Sequence, residues 1–294
     1  MIFPAKAAFM EQHEILARMR SVIDDLPQLP TSVTRIISVL EDPEAGAQAV
    51  TDAILPDPAL TTKVLKVANS AYYGFSATIA NVSRAVPLLG LETIKSLALS
   101  LGVFESMGQS REDMDLVIKE DLWRHSLTVA DTVVEMARRL EVEAEYLFIM
   151  GFLHDVGKLV LAKSFPELYG ECREMARKEG KPLSAIEQKI IHFDHGEVGA
   201  LLLARWKFPN VLVNPVRFHH KDKLPPGPDT VDVAMVRVSD ALANRMVHGE
   251  EHPMSYIRQA DLDYLELEQA DLESLSEYQK GASEKVSILL TALT

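Results

Sequence analysis

Apolar residues recur at three- and four-residue intervals along almost the whole chain, while strict alternation of apolar and polar residues is scarce. A strand needs every second side chain on its buried face and a helix needs a period near 3.6, so this pattern predicts a nearly all-α protein. PALTTKVLKVANS sets Leu60, Val64, Leu65 and Val67 on one helical face, and LETIKSLALSLGVF does the same with Leu91, Ile94, Leu97 and Leu101. Helix starts are marked as well. Thr31 is placed to cap SVTRIISVLED, Asp57 followed by Pro58 opens the next helix, and Asp194 stands where a cap belongs before HGEVGALLLARW.

The polar stretch SMGQSRED (106–113) is the clearest internal boundary. It divides an N-terminal helical part (1–107) from a second helical part (114–252), followed by an acidic, leucine-spaced tail (253–294). Helical patterns in the second part run over about 114–140, 143–163, 183–192, 195–207 and 229–249, the last two separated by the proline-rich KDKLPPGPDT. The tail, DLDYLELEQADLESLSEYQ, reads as a surface helix or as a partner-binding one.

Charge and composition exclude several classes of function. A net charge of -13 argues against direct nucleic-acid binding and gives no attraction to an anionic membrane. One cysteine, Cys172, rules out both a disulfide framework and a thiolate zinc ribbon within the chain. No apolar run is long enough to span a bilayer, and the first residues lack a secretory apolar core, so the expectation is a cytoplasmic protein.

Polar residues stranded on apolar faces carry the chemistry. GFLHDVGKLVL sets His154 and Asp155 side by side in an apolar run, with Lys158 able to reach the same space. Neighbours on a helix lie about 100° apart and can still grip one ion between them. Asp121 and His125 share a helix face, HFDHGEVG supplies His192 and His195, VRFHHKD supplies His219 and His220, and Asp240 sits on the face of Val233, Val236 and Ala243. Taken singly, each has an ordinary reading: a packed histidine, a cap at Asp194, a solvated Lys158, an Asp240 paired with Arg237 or Arg245. Together they supply ligands for two ions. His125, His154, Asp155 and Asp240 make one set, and Asp155 as a bridge with His195, His219 and His220 makes the other. Imidazole and carboxylate without thiolate suit iron or manganese ahead of zinc or nickel.

The order H125…H154-D155-x-x-K158…H195…H219-H220…D240 resembles the HD superfamily of metal-dependent phosphohydrolases, in the ligand order of its HD-GYP branch. LPQLPTSVTRIISVL, ILPDPALTTKVLKVANSAYYG and SRAVPLLGLETIKSLALS resemble the HDOD family, the HD-related output domain. The resemblance covers about residues 20–250 and implies an HD-like helical bundle with an added N-terminal helical subdomain. HDOD domains commonly lack much of the metal set, whereas this chain keeps it. The GYP residues of cyclic-di-GMP phosphodiesterases are absent after His220, so weak or no cleavage of that dinucleotide is expected.

Two functions follow from the resemblance. One is a metal-containing signalling module that relays its state to a partner protein. The other is a phosphohydrolase acting on a phosphate-containing small molecule, with Asp155 at the metals, Lys158 on a phosphate oxygen and Asp121 orienting His125 or reaching an ion. NSAYYGFSATI, with Tyr72, Tyr73 and Phe75, reads either as an exposed partner surface or as a loop anchored on the core.

Overall fold

The computed structural model describes residues 28–293 except 41, 43, 109–115, 143–145, 226, 228, 250, 251 and 253–255, together with 13, 14, 17 and 20. The N-terminal stretch and most of the polar boundary at 106–113 therefore lie outside the described residues. Every regular element among the described residues is a helix, as the periodicity requires. No described helix is long and apolar enough to cross a membrane.

The first group comprises α1 (Thr31–Leu40), α2 (Ala47–Ile54), α3 (Pro58–Ala68), α4 (Val82–Leu89) and α5 (Leu91–Gly108), and the first four all pack on α5. Asp57 caps α3 by accepting from Leu60 N at 3.0 Å, while Pro58 occupies the first turn, where no N–H partner is needed. The same carboxylate accepts from Ser32 Oγ at 2.7 Å and so ties the start of α3 to α1. Thr31 is itself the first residue of α1.

The second group comprises α6 (Leu116–Arg139), α7 (Leu147–Leu153), α8 (Val156–Ser164), α9 (Pro166–Glu179), α10 (Leu183–Ile190), α11 (His195–Arg205), α12 (Asn210–Phe218) and α13 (Thr230–His248). α7 and α13 pack along α6, and α5 reaches across to α7, joining the two groups. The segment expected as one helix over 143–163 is two. α7 ends at Leu153, and α8 begins after a turn at His154–Asp155, where Asp155 has φ -101° and ψ 7°. α9 and α12 escape a periodicity reading because one is crowded with charge and the other contains Pro215.

Two glycines set the spacing around that turn. A Cβ on Gly151 would lie 2.6 Å from Ala130 Cα on α6, and one on Gly157 would lie 1.9 Å from the His195 carbonyl oxygen on α11. Only the missing side chains let these backbones meet.

The acidic tail is a packed part of the molecule. It forms α14 (Gln259–Leu265) and α15 (Gln269–Leu293), and α15 lies against α6, α13 and α3. Leu272, Leu275, Val286, Leu289 and Leu290 are buried, and Gln279 donates to Thr132 Oγ1 at 2.8 Å. The Tyr72–Tyr73 pair is likewise anchored. Tyr72 donates to the buried Asp131 on α6 at 2.5 Å and stacks edge-on against Tyr73, leaving Phe75 as the exposed aromatic of that loop.

Candidate metal centre

Seven of the eight residues expected at the metals converge where α6, the 154–155 turn, α11, the end of α12 and α13 meet. His125, His154 and Asp240 form one group, and Asp155, His195, His219 and His220 the other, with one ligand atom per residue lying within 4.8 Å of the others in its group. Asp155 stands between them. Its Oδ2 lies 3.3 Å from His154 Nε2 and 3.7 Å from His125 Nε2, while Oδ1 lies 3.1 Å from His195 Nε2 and 3.7 Å from His219 Nε2. Asp121 is exposed and belongs to neither group, because its position on α6 is one turn too close to solvent. His192 is also exposed, in a left-handed conformation with φ 69°.

Helix ends orient the imidazoles. His154 and His219 sit at the C-termini of α7 and α12, where the last carbonyls have no helical partner. His154 Nδ1 faces Gly151 O at 2.6 Å and His219 Nδ1 faces Val216 O at 2.7 Å. A carbonyl only accepts, so each Nδ1 carries a proton and each Nε2 is turned inward, where it can offer a lone pair to an ion. His195, first in α11 behind the capping box of Asp194 and Glu197, is fixed by Glu187 instead. One Glu187 oxygen accepts from His195 Nδ1 at 2.6 Å and from its backbone N–H at 2.9 Å.

This arrangement fits a bound cation. His220 Nε2 and His195 Nε2 are 2.8 Å apart, His219 Nε2 and His195 Nε2 3.4 Å. His154 Nε2 and Asp155 Oδ1 are buried and make no hydrogen bond. Lone pairs converging in a dry interior are unfavourable unless a proton on one of the rings or a metal ion sits between them. The all-nitrogen-and-oxygen donor set is one that transition metals take up readily.

The charges divide the rings. Burial works to lower His154 and His195, but Asp155 holds His154 up and Glu187 pushes His195 up to about 9, so these two would give up a proton to an incoming ion. Burial pushes His219 and His220 down, His220 far down with His219 and His195 adding to the effect, so both are neutral and ready as ligands. Burial works to raise Asp155, but His154 and Lys158 overcome it and hold the carboxyl well below the usual range. Burial likewise opposes ionisation of Asp240, yet His125 brings it down to about 2. Asp240 accepts from Asn244 Nδ2 at 2.7 Å and lies 3.0 Å from His125 Nε2, not against an arginine. Arg237 is spent elsewhere: it pairs with buried Asp261 of α14 at 3.0 Å and donates to the carbonyls of Phe218, Lys221 and Lys223, bracing the segment that carries His219 and His220.

Three contributors were not anticipated from the sequence: Glu187, Gly157 and Arg237. Glu187 is fully buried beside Ile186 in a helix with an apolar face, and a carboxylate so placed is the one signal that could have found it.

Two cavities open on the centre. One of about 460 Å³ is bordered by His219, His220 and Asp240. The other, about 550 Å³, is bordered by His125, Asp155 and Lys158, with Leu159, Leu183 and Val286 among its apolar lining. Lys158 Nζ sits 2.5 Å from Asp155 Oδ2 in the lining of the second cavity.

The sequence matches the HDOD domain family over residues 26–222. An uncharacterized protein of Treponema pallidum (strain Nichols) is 28% identical over 240 residues, which is 81% of this chain and 45% of that protein. The chain thus spans about half the length of this curated relative. Among solved structures, an HDOD domain protein with unknown function from Geobacter sulfurreducens is similar at a TM-score of 0.70 and 22% identity, covering 94% of this chain and 99% of that one. A "Putative phosphohydrolase" from Shewanella amazonensis reaches 0.71 at 24% identity over 95% of this chain and 98% of that one. A "Putative signal transduction protein" from Marinobacter aquaeolei reaches 0.78 at 19% identity, over 98% of this chain and 67% of that one. These likenesses are of fold.

Proposed function

The chain belongs to the HDOD family, and from that premise we propose that it is a signalling protein whose retained HD-type centre binds two metal ions, bridged by Asp155, and cleaves a phosphate ester. The observation that carries this reading is the position of Asp155, whose two oxygens face two separate ligand groups. Iron or manganese is the first expectation, zinc or nickel the second.

When bound, such ions acidify water towards neutral pH and draw charge from a phosphoryl group. The chain's own residues supply the rest. His195, held by Glu187, and His154 and His219, held by helix-end carbonyls, keep their lone pairs aimed without reorganisation. Lys158, already in the cavity beside Asp155, is placed to hold an anionic oxygen as a compact charge. The loop after His220 reads KDKLPPGPDT, so cyclic-di-GMP is a poor candidate substrate and other phosphate-containing small molecules are preferred.

The test is metal content of protein purified without chelator or affinity-tag metal, followed by a panel of phosphodiester and nucleotide substrates. About two ions per chain are expected. Asp155→Ala should lose both and His219→Ala mainly one, while Lys158→Ala should keep metal and lose on the order of ten- to a thousandfold in turnover. Less than about half an equivalent of any transition metal after anaerobic reconstitution would end the dinuclear reading.

One observation favours a second reading, in which metal occupancy is relayed to a protein partner without turnover. α6 carries both His125 and, six residues on, Asp131, to which Tyr72 of the N-terminal group is hydrogen-bonded. Under that reading Lys158→Ala is silent and Tyr72→Phe abolishes partner capture. Nucleic acid and membrane remain unfavoured partners at a net charge of -13.

A further inference from the structure

The cavity beside Asp155 and Lys158 also holds two side chains of α9 that nothing above uses, Tyr169 and Arg173, four residues apart and so on one helix face. Tyr169 is only 5% exposed; its hydroxyl makes no hydrogen bond to a described residue and is not sealed in the core, since the ring lines the cavity. A tyrosine buried this far ordinarily gives its O–H a protein acceptor, and this one is left available to an acceptor that enters the cavity. Burial raises this phenol well above its ordinary pKa, and the carboxylates of Glu187 and Asp155 raise it further, so the group is an O–H donor at any physiological pH.

The cations of the cavity differ in what they already hold. Lys158 is on Asp155, and Arg124 is on Glu120 and Ser287. Arg173 is exposed and makes no ion pair among the described residues. Asp121 and Glu284 also border the cavity and disfavour an anion on their side. Leu159, Ala162, Leu183, Met246, Val247 and Val286 supply apolar surface, the last from the C-terminal helix. A donor and a free cation on one helix face, beside an apolar wall, match an anionic head on an apolar body.

We propose that Tyr169 and Arg173 form an oxyanion subsite that takes the phosphoryl oxygens of an ester whose remaining part is apolar and lies on this wall. The inference rests on the phosphohydrolase reading and names the class of ligand for it. Tyr169 would touch the ligand directly, donating its O–H to a phosphoryl oxygen, while Arg173 would receive the anion at the mouth.

The test uses two probes whose C–P bond resists hydrolysis, methylphosphonate and phenylphosphonate, titrated calorimetrically into the metal-loaded full chain. Wild-type protein is expected to bind phenylphosphonate several-fold more tightly than methylphosphonate. Tyr169→Phe should weaken both by roughly ten- to a hundredfold, the loss of one hydrogen bond to a charged group, with metal content and melting temperature unchanged. Arg173→Gln should weaken both several-fold, and more so at low salt than at high. Wild-type binding that Tyr169→Phe leaves intact would overturn the subsite while sparing the metal-dependent reading. Equal affinity for the two probes would overturn the apolar-body assignment. Failure of the metal-loaded wild type to bind either would overturn the subsite and the phosphohydrolase reading together. A Tyr169→Phe protein that melts lower or loses metal would mark the hydroxyl as structural, against the proposal.

Discussion

Replacing Glu187 with glutamine isolates what the charge behind His195 contributes. Glu187 Oε2 accepts two N–H groups from His195, at 2.6 and 2.9 Å, while Oε1 accepts no hydrogen bond. A glutamine carbonyl can take the place of Oε2 and accept both N–H groups, so ring position and tautomer survive. What disappears is the negative charge that makes His195 a better donor to a cation. Outer partners of this kind are worth about 10- to 100-fold in metal affinity, or about 1.4–2.7 kcal/mol. The glutamine NH2 must also sit where Oε1 has no partner, which adds about 1–3 kcal/mol of destabilisation for an unmet donor. Chelator competition followed by elemental analysis should therefore show Glu187→Gln losing one ion first, that of the Asp155, His195, His219 and His220 group, while the His125, His154 and Asp240 group holds on. Glu187→Ala should be worse, costing about 3–5 kcal/mol as a broken buried pair. Two ions bound by Glu187→Gln as tightly as by wild type, or both groups weakened equally, would refute the assignment of Glu187 to one half of the centre.

Three other outcomes are accessible to simple measurements. Gly157→Ala should destabilise by about 3 kcal/mol or more, since its Cβ would meet backbone atoms of His195 and Gly199 that cannot rotate away; Gly170→Ala, with open space around it, is the control and should be neutral or slightly stabilising in a denaturant melt. Leu275→Ala should cost about 2–5 kcal/mol, because the leucine is 1% exposed against the bundle, whereas a tail serving only to bind a partner would leave the melting temperature unmoved. Arg138 chiefly, with Arg139, overcomes the burial of Glu135 and lowers its pKa from 4.5 to about 2. The folded value is the lower one, so this stabilisation is complete above pH 4.5 and is lost as the pH falls through about 2; Glu135→Gln should flatten the acid limb of the stability curve, and an unchanged limb would refute the pairing.

Much of the fold and of the centre was legible in the chain itself. A 3.6-residue apolar period allows no other class, and Asp57-Pro58 and Asp194 mark helix starts through chemistry local to a few residues. The candidate ligands stood out because imidazole and carboxylate are costly on apolar faces without a partner, and all but Asp121 come together in space. Asp121 stands apart from both groups because two residues on one helix face share a direction, not a depth: it is exposed while His125 is half-buried.

What tertiary structure decided is everything that depends on who the neighbour is. Periodicity identifies an apolar stripe without saying what covers it, so the acidic tail looked peripheral until α15 was seen lying against α6, α13 and α3. The Tyr72 hydroxyl could have faced water or Asp131, and only the packing of the loop onto α6 chose. The break between α7 and α8 is invisible to periodicity because the apolar run crosses it unchanged. Glu187 and Arg237 act through groups 8 and 19 residues away respectively, and Gly157 matters only because another backbone arrives against it. A sequence determines which groups must be paired or buried; which group meets which is settled by contacts between elements far apart along the chain.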